Sequence, residues 1–544
     1  MQSADEPAPI AEPAPTSGVE GNSILTEEDS TPAPHHEEWH SNPKNAQDLS
    51  TDVFIDDDLV NGSHTTRQDP FAVGWEEPVD QDPANPLNWT SWQTNVNIGV
   101  ISFLSFLTFA DADCGPLASS MFAPSVPQVM QDFKSDSNLL AAFVVSVYIL
   151  GFAFGPLVVA PISELKGRLI VYHTCNTLFF VFTIISALSQ TMVMLIVFRF
   201  LAGFVGVAPT TIGSGTIADL IPRERRALYM SLWSMGPILG PVVGPIAGGF
   251  LAEAKGWRWE FWVLAMVGGT ATTGAFLILR ETFAPVVLEK KADQLRKSTG
   301  NPLYHSILAS NIPPKDLFLR SIVRPSKMLI MAPIVSLMSI YVAVLYGLLY
   351  ILFTTFTFVF EGQYNFSTGT SGLSFIGSGV GTVCGVVVYA TLGDRLVRVR
   401  NAGGETPVPE DRLPIYLVLP ASLSIPAGLI IYGWAADKRV HWVVPQIGNA
   451  VTSVGMMIIV MSVQTYLVDA FTEHAASAIA ANTVLRSVLG ALLPLCGLQL
   501  YDAIGLGWGN TLLGFIALGM APIPVLLGMF GARLRNSKMG RVTF

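Results

Sequence analysis

The chain has 544 residues, of which 50% are hydrophobic and only 13% are charged, and its mean hydropathy is +0.47. A water-soluble protein of this size carries nearer a quarter charged residues, so the composition excludes a single large soluble enzyme. The net charge of -10 hides an asymmetry, because residues 1–90 hold 19 of the 41 acidic residues but only two of the 31 basic ones. An acidic tail therefore precedes a mildly basic membrane body.

The acidic tail is poor in apolar residues and rich in Pro, Ser and Glu, so it cannot bury enough surface to offset its chain entropy. We predict a disordered cytosolic tail over residues 1–92. It contains no apolar core after a basic region, which argues against a cleavable secretory signal. The four cysteines form no CxxC pair, which argues against a disulfide framework or a zinc site.

Apolar stretches long enough to cross a bilayer recur along the rest of the chain. A helix needs about 20 apolar residues, each rising about 1.5 Å, to cross ~30 Å of hydrocarbon. By that criterion we place spans near 97–118, 139–161, 169–189, 191–216, 228–253, 258–279, 330–358, 369–392, 413–434, 443–467, 477–500 and 508–531. These twelve spans predict an all-α polytopic membrane protein.

Lysine and arginine are distributed unevenly between the loops on the two sides of these spans. With the tail in the cytosol, 22 of them fall on the cytosolic side and five on the outer side. Because cytosolic loops are the basic ones, both termini are predicted in the cytosol. The sequon at Asn365 then lies in an outer loop close to the membrane, where glycosylation is an open alternative.

A long polar connection, residues 281–329, separates six spans from six. Weak self-similarity relates the two sets, because shifts of 230 and 250 residues align Glu164 with Asp394, Arg168 with Arg398, and Asp219 with Asp469. We therefore predict an N-terminal bundle over 93–280, a cytosolic linker over 281–329, and a C-terminal bundle with a short cytosolic tail over 330–544. Two related six-helix bundles are a transporter architecture.

Charged residues at the cytosolic ends of the spans form a candidate gate. They are Glu164, Arg168 and Asp219 in the first half and Asp394, Arg398 and Asp469 in the second. A carboxylate and a guanidinium four residues apart can pair with each other and with the aspartate of a neighbouring span, and such pairs break when the face opens. The alternative is that these charges are solvated and only enforce topology.

A Gly-Pro repeat lies in the fifth span. It consists of Gly236-Pro237, Gly240-Pro241 and Gly244-Pro245, followed by Gly248-Gly249. Four-residue spacing puts the glycines on one helix face, where a neighbouring helix can approach closely, and each proline removes a backbone hydrogen bond. The repeat favours a specialised hinge or seal over a span that is merely tightly packed.

Ionisable residues inside the spans are candidates for proton coupling, since isolated charges there are costly and usually functional. Arg199 lies roughly 12 Å inside the outer end of the fourth span, and Asp111 and Asp113 lie at similar depth in the first. The two aspartates are separated by about 200° on an ideal helix, so at most one faces Arg199. Asp111, nearer the polar stripe of its helix, is favoured. The alternative is that the first span ends early and both aspartates are in water.

Residues in the second half suggest a substrate cavity. Tyr346, Tyr350 and Phe353 share one helix face in the seventh span, a pattern suited to stacking on a flat apolar molecule, although such stripes are more often packing. Arg486 lies near mid-membrane in the eleventh span. It is placed either to meet an anionic group of a substrate or to bind helix carbonyls.

Further segments, together with the candidate gate and the Gly-Pro repeat, carry a family resemblance. They are DPANPLNW (82–89), RFLAG (199–203), RETFAPVVL (280–288), YLVDAF (466–471) and AASAIAANTVLRS (475–487). From residue 82 to the end, the sequence resembles the major facilitator superfamily, and more narrowly the fungal twelve-span drug:proton antiporters that export drugs or secondary metabolites. The resemblance implies two pseudo-symmetric six-helix bundles, and the Gly-Pro repeat is similar to that family's antiporter motif.

Two positions depart from the family pattern. Glu164 stands where the superfamily usually has Asp, which preserves a gate pair, and Met331 stands where many fungal relatives have Glu, which weakens any role inferred for that position.

Missing motifs narrow the function further. The sequence has no GxxxxGKS or GxxxxGKT phosphate loop, which argues against ATP-driven pumping, and its eight histidines do not cluster as metal ligands would. The resemblance implies a proton-coupled antiporter, not an enzyme, that exports amphipathic drugs, toxins or secondary metabolites by alternating access. Outside protons would load Asp111 and displace Arg199.

Two other functions stay open: a proton symporter that imports a small polar nutrient, and a transporter-like receptor that moves no solute. We expect a monomer in the plasma membrane, with the vacuolar membrane as the alternative. Its expected partners are substrate, protons and lipid, without cofactor, metal or nucleic acid.

Overall fold

The computed structural model describes residues 70–108, 121–309, 313–402, 408–471 and 474–536. After a short strand β1 (Ala72–Val73), the first half contains α1 (Ser91–Thr108), α2 (Val126–Asp132), α3 (Asn138–Lys166), α4 (Arg168–Ala187), α5 (Met192–Gly206), α6 (Ala208–Thr211), α7 (Gly213–Leu220), α8 (Arg223–Lys255) and α9 (Arg258–Ile278). The helices α5, α6 and α7 follow one another almost without a break and together make up the fourth predicted span.

The linker and the second half are also helical. The linker holds α10 (Ala284–Thr299), β2 (His305–Ser306) and α11 (Pro314–Met331). The second half holds α12 (Pro333–Tyr364), α13 (Thr368–Ser371), α14 (Ile376–Ala402), α15 (Ile415–Asp437), α16 (Val443–Ala470), α17 (Ala475–Leu492), α18 (Gly497–Met520) and α19 (Pro522–Asn536).

The local sequence explains where several helices begin and end. Ser137 accepts a hydrogen bond from the Leu140 N–H at 3.4 Å and so caps α3, and Thr191 caps α5 in the same way. Gly167 ends α3 with φ of 93°, a conformation that side-chain-bearing residues rarely adopt. Gly505, with φ of 81°, interrupts α18, and the chain turns there from the eleventh predicted span into the twelfth.

Each of the twelve predicted spans overlaps helix in the described part of the chain, although the first is described only as far as Thr108. By length and composition, nine helical stretches within the described residues can cross a membrane. One of them, Ser477–Leu534, contains two predicted spans, and α1 and α8 are not among the nine.

The predicted disordered tail ends too late. Residues 1–69 lie outside the described residues, but residues 70–82 pack onto the linker, where β1 pairs in parallel with β2, and α1 begins at Ser91. Lys291 of α10 forms ion pairs with Glu76 at 2.9 Å and with Asp82 at 3.4 Å. The prediction of disorder through residue 92 is therefore wrong for residues 70–92. The negative charges of Glu76 and Asp82 are compensated by a basic residue of the linker rather than by water.

The two ends of the helical body are easily told apart. We call the end that holds residues 70–90 and α10 the linker face, and the end that holds α2 and α13 the far face. The carboxylate of Glu281 accepts hydrogen bonds from the Arg168 and Leu169 N–H groups, so the loop between α3 and α4 lies at the linker face.

Direct hydrogen bonds join the two halves at and near the far face. The Asn138 side chain donates to Asp502 at 2.8 Å, and the Ser146 hydroxyl donates to the Ala491 carbonyl at 2.9 Å. The Glu253 carboxylate accepts from the Gly369 N–H at 2.9 Å. One apolar core cluster includes residues of both halves. The halves are therefore closed against each other at the far face.

Candidate functional site

Arg199 is buried in the first half, as the sequence predicts. Its side chain is 1% exposed, and Nε donates to the Val144 carbonyl of α3 at 2.8 Å. The guanidinium carbon lies 4.3 Å from the centre of the Phe122 ring, with Tyr148 and Phe261 near 6 Å. Nη1 and Nη2 have no hydrogen-bond partner among the described residues. The aromatic faces offset part of the cost of burying this cation.

A buried carboxylate that the sequence analysis did not identify faces Arg199. Glu260, in the first turn of α9, is 3% exposed and attracts Arg199 electrostatically. Its Oε1 atom accepts a short hydrogen bond from the Ser125 hydroxyl, while Oε2 has no partner within the described part of the chain. The sequence analysis missed Glu260 because it lies near the predicted start of a span. A charged residue at that position is usually assigned to the preceding loop.

Asp111 and Asp113, the predicted carboxylates for Arg199, lie outside the described residues. Their pairing with Arg199 stays a prediction, and Glu260 is the carboxylate that the structure places near the guanidinium.

The first half of the candidate gate is assembled at the linker face. Arg168 Nε lies 3.4 Å from Asp219, and Nη1 donates to the Ser163 hydroxyl at 3.0 Å. Glu164 is exposed and acts on Arg168 through its charge, without a described hydrogen bond. Arg168 and Asp219 therefore meet as predicted, whereas Glu164 is a more distant member.

The segment RETF, residues 280–283, completes this cluster. Glu281 caps the first N–H groups of α4, the Thr282 hydroxyl donates to Asp219 at 3.3 Å, and the Phe283 ring lies 4.8 Å from the Arg168 guanidinium carbon. The sequence singled out this segment only for its resemblance. The structure gives it a contact role, because three of its four residues hold Arg168, Asp219 or the helix that begins at Arg168.

The second half does not repeat this arrangement in the described residues. Asp469 pairs with Arg412 at 2.7 Å, a residue in the loop before α15 that the sequence analysis did not identify. The side chains of Asp394 and Arg398 lie outside the described ones. Asp469 therefore pairs with Arg412 at the end of α16, while its predicted partnership with Arg398 stays a prediction.

The Gly-Pro repeat lies on α8, which is continuous from Arg223 to Lys255, and the side chains of Pro237 and Pro241 are not described. The end of the repeat packs at the far face: a Cβ atom on Gly249 would lie 2.8 Å from the Thr368 carbonyl oxygen of the other half. A Cβ on Gly248 would overlap the Met121 carbonyl, and one on Gly372 would overlap the Pro245 carbonyl. At Gly249 and Gly372 glycine allows backbones of the two halves to touch, and at Gly248 it allows a close approach within the first half.

The aromatic stripe of α12 is buried. Tyr346, Tyr350 and Phe353 share one face as predicted, with neighbouring ring centres 5.6 and 5.7 Å apart. The guanidinium carbon of Arg486 lies 5.1 Å from the centre of the Tyr346 ring. The structure thus brings the four predicted cavity residues into one cluster, although the rings pack on one another in this conformation.

Two buried polar side chains of the second half were not identified by the sequence analysis. Asn482, four residues before Arg486, is 1% exposed, and Asn449 of α16 is fully buried. Neither side-chain amide has a hydrogen-bond partner among the described residues. Two asparagines within strongly apolar spans are the signal that could have identified them, since burying an unbonded amide is costly.

The larger of two described pockets, about 520 Å³, is elsewhere, on the outer surface of α18. It is lined by Ile504, Trp508, Thr511, Leu512 and Phe515. With only Thr511 to offer a polar group, it has the character of a lipid-facing surface rather than a transport site.

Comparison with known proteins identifies the family. The sequence profile of the Major Facilitator Superfamily matches residues 112–494. The chain belongs to the major facilitator superfamily. It is 49% identical over 502 residues to the MFS-type transporter penM of Penicillium rubens, which covers 92% of this chain and 97% of that protein. It is also 49% identical over 500 residues to the efflux pump radE of Floropilus chiversii, with 90% and 91% covered.

Solved structures show the same major facilitator fold. A bacterial homolog of the human lysosomal transporter Spinster, in an inward-facing and unoccupied conformation, matches with a TM-score of 0.58 at 12% identity and covers 83% of this chain and 100% of that chain. The partially occluded, inward-open xylose transporter XylE from E. coli matches with a TM-score of 0.57 at 17% identity, with 83% and 100% covered.

The predicted fold class and family are confirmed. The protein is a multi-pass membrane transporter of the major facilitator superfamily, related to fungal MFS-type transporters and efflux pumps, and it is not an enzyme.

Proposed function

We propose that this major facilitator transporter exports amphipathic organic compounds in exchange for protons, by alternating access between its two halves. The observation that carries the proposal is the presence of two buried ionisable groups, Arg199 and Glu260, within one half of a membrane protein. A buried charge pair is sensitive to a single proton, because neutralising one member leaves the other without its counter-charge. Similarity to a protein named an efflux pump supports the outward direction.

The residues of the second half support an amphipathic substrate. Arg486 over the Tyr346 ring, beside the unbonded amide of Asn482, combines aromatic, cationic and hydrogen-bonding groups in one buried region. Binding sites for organic molecules are mostly apolar with a few placed polar groups. A molecule with a flat apolar part and an anionic or hydrogen-bond-accepting group matches this chemistry.

The excess of Lys and Arg supports placing the linker face and both termini in the cytosol. The far face is then outside, and its closure supports placing this conformation in the part of the cycle that loads substrate from the cytosol. Asn365 is exposed at the far face and is the proposed glycosylation site. We place the protein in the plasma membrane as a monomer.

The test is transport by the purified full chain in liposomes with an imposed pH gradient. Vesicles preloaded with one of a panel of hydrophobic fluorescent compounds are expected to lose it faster when the medium facing the far side is acidic. Gradient-driven accumulation of a polar nutrient instead would indicate a symporter. Binding without movement of any compound would indicate a receptor, and either result would overturn export by antiport.

A further inference from the structure

Two far-face carboxylates, Glu260 and Glu361, each keep one oxygen without a hydrogen-bond partner among the described residues, and Glu260 is the more deeply buried of the two. Asp132 pairs with Arg258 at 2.9 Å, Glu253 binds the Gly369 N–H, and Asp502 accepts from Asn138. Glu260 is buried, and its Oε2 atom has no partner in the part of the chain that the structure describes. A carboxylate in that state loses little by accepting a proton, since the neutral acid avoids the cost of a buried charge.

The charges around Glu260 leave Arg199 as its counter-charge among the described residues. Arg258, two residues before it, is turned away: its guanidinium pairs with Asp132 and donates to the Ser189 carbonyl at 3.2 Å. Arg199 approaches from α5, and its Nη atoms also have no hydrogen-bond partner in the described part of the chain. The Tyr148 ring of α3 lies 5.8 Å from the Arg199 guanidinium carbon. Asp111 and Asp113, outside the described residues, are the alternative acids for Arg199.

Glu260 is connected to the contact between the halves through a short chain of bonds. Its Oε1 atom accepts from Ser125, the last residue of the turn Ala123–Ser125. The carbonyl of Ala123 in the same turn accepts from the Thr357 hydroxyl of α12 at 3.3 Å. The turn that Glu260 holds in place therefore touches the opposite half of the transporter.

We infer that Glu260 is the proton-binding carboxylate of the transport cycle, and that its protonation loosens the far-face contact through the turn Ala123–Ser125. A proton from the far-face solution forms an O–H bond at Oε2 and removes the negative charge that attracts Arg199. The same proton leaves Oε2 when the site opens toward the linker face. This inference rests on proton-driven export, and it names the acid that couples the proton to opening.

The first test measures gradient-driven transport of rhodamine 6G by full-length variants in liposomes. Glu260→Gln is expected to fall to the rate that wild type shows without a gradient, while exchange of the dye in the absence of a gradient continues. Glu260→Asp retains an acid and is expected to keep the response to the gradient. Asp132→Asn is the matched control, a far-face carboxylate already paired with Arg258, and should behave as wild type. A full gradient response in Glu260→Gln overturns the inference.

The second test detects the proton without using transport. Infrared difference spectra recorded as the pH is stepped should contain the carbonyl band of a protonated buried acid in wild type and Asp132→Asn, and lack it in Glu260→Gln. Loss of the band in Asp111→Asn or Asp113→Asn, with retention in Glu260→Gln, would overturn the assignment. If the band depends on Glu260 but wild type transports no dye under a gradient, the proposal of proton-driven export is wrong. The assignment of Glu260 as the proton-binding carboxylate is then still supported.

Discussion

At the scale of single residues, Arg199 shows how a membrane protein holds a buried cation. One nitrogen bonds to a helix carbonyl, and the flat guanidinium lies against Phe122, with Tyr148 and Phe261 around it. A cation over an aromatic face is worth about 0.5–2 kcal/mol, more when water is excluded. The remaining donors have no partner among the described residues, so within that part of the chain the site is not fully satisfied. Protonation of a neighbouring acid can change the remaining free-energy cost of burying Arg199.

The variant Arg199→Lys tests this geometry at constant charge. Lysine carries a compact, strongly hydrated ammonium, which cannot both lie flat on Phe122 and bond to the Val144 carbonyl. We expect gradient-driven transport to fall by about tenfold, corresponding to about 1.4 kcal/mol, in proteoliposomes loaded with equal amounts of folded protein. Lys134→Arg, on the far-face loop, is the control. Unaltered transport in Arg199→Lys would mean that only the positive charge matters.

At the scale of elements, the segment 70–90 and the linker form a clamp, built from β1, β2, α10 and the buried Asp82. Burial favours the neutral form of Asp82, but hydrogen bonds from the Glu76 and Ala84 N–H groups and the charge of Lys291 together hold its pKa below the usual value. Since the folded-state pKa is lowered, this stabilisation is present above the unfolded pKa of about 4 and is lost as the pH falls through the lower folded value.

Replacing Asp82 with Asn is expected to weaken the clamp by about 1–3 kcal/mol, the cost of breaking a buried, charge-assisted hydrogen-bond set. Hydrogen exchange at the amides of His305 and Ile307, which donate to Phe71 and Val73, should be faster in the variant at neutral pH. In wild type, exchange at these two amides should become faster only below about pH 4. Asp293→Asn, an exposed carboxylate of α10, should leave exchange unchanged; equal exchange in Asp82→Asn and wild type would contradict the clamp.

At the scale of the whole molecule, the far face is where the two halves meet, through hydrogen bonds and through backbones brought together by Gly249 and Gly372. A contact made of a few bonds and close backbone packing can separate as a unit, which alternating access requires. The Gly-Pro repeat supplies one side of this contact. We therefore keep the interpretation that the repeat acts as a seal.

Cross-linking across the far face tests whether this contact must open. In a chain whose four cysteines are replaced, Asn138→Cys and Asp502→Cys should be joined by a short bis-methanethiosulfonate cross-linker, which attaches through reducible disulfides, since these side chains touch at 2.8 Å. We expect dye transport to stop on cross-linking and to return on reduction. Each single-cysteine variant serves as the control. Continued transport by the cross-linked protein would show that the far face does not open during the cycle.

Twelve spans and their division into two halves could be predicted from sequence because bilayer thickness sets the length of each apolar helix and a polar linker interrupts them. The meeting of Arg168 with Asp219 was also predictable from their positions at the ends of the spans. The contact of Arg486 with the Tyr346 ring was not predicted, since the sequence left two other roles open for Arg486. Glu260 was not, because it lies only two residues after Arg258, a charge at the start of the span, and because Arg199 is far away in the chain. Arg412 was likewise missed, since loop conformation decides its pairing with Asp469.

By itself, the sequence determined which segments enter the membrane and which end of the chain is acidic, because both follow from local composition. Only the tertiary structure decided which buried charges face each other and that residues 70–82 join the linker. Those outcomes depend on distances between segments remote in sequence, and small shifts in helix packing decide whether a carboxylate lies beside a guanidinium or beside water.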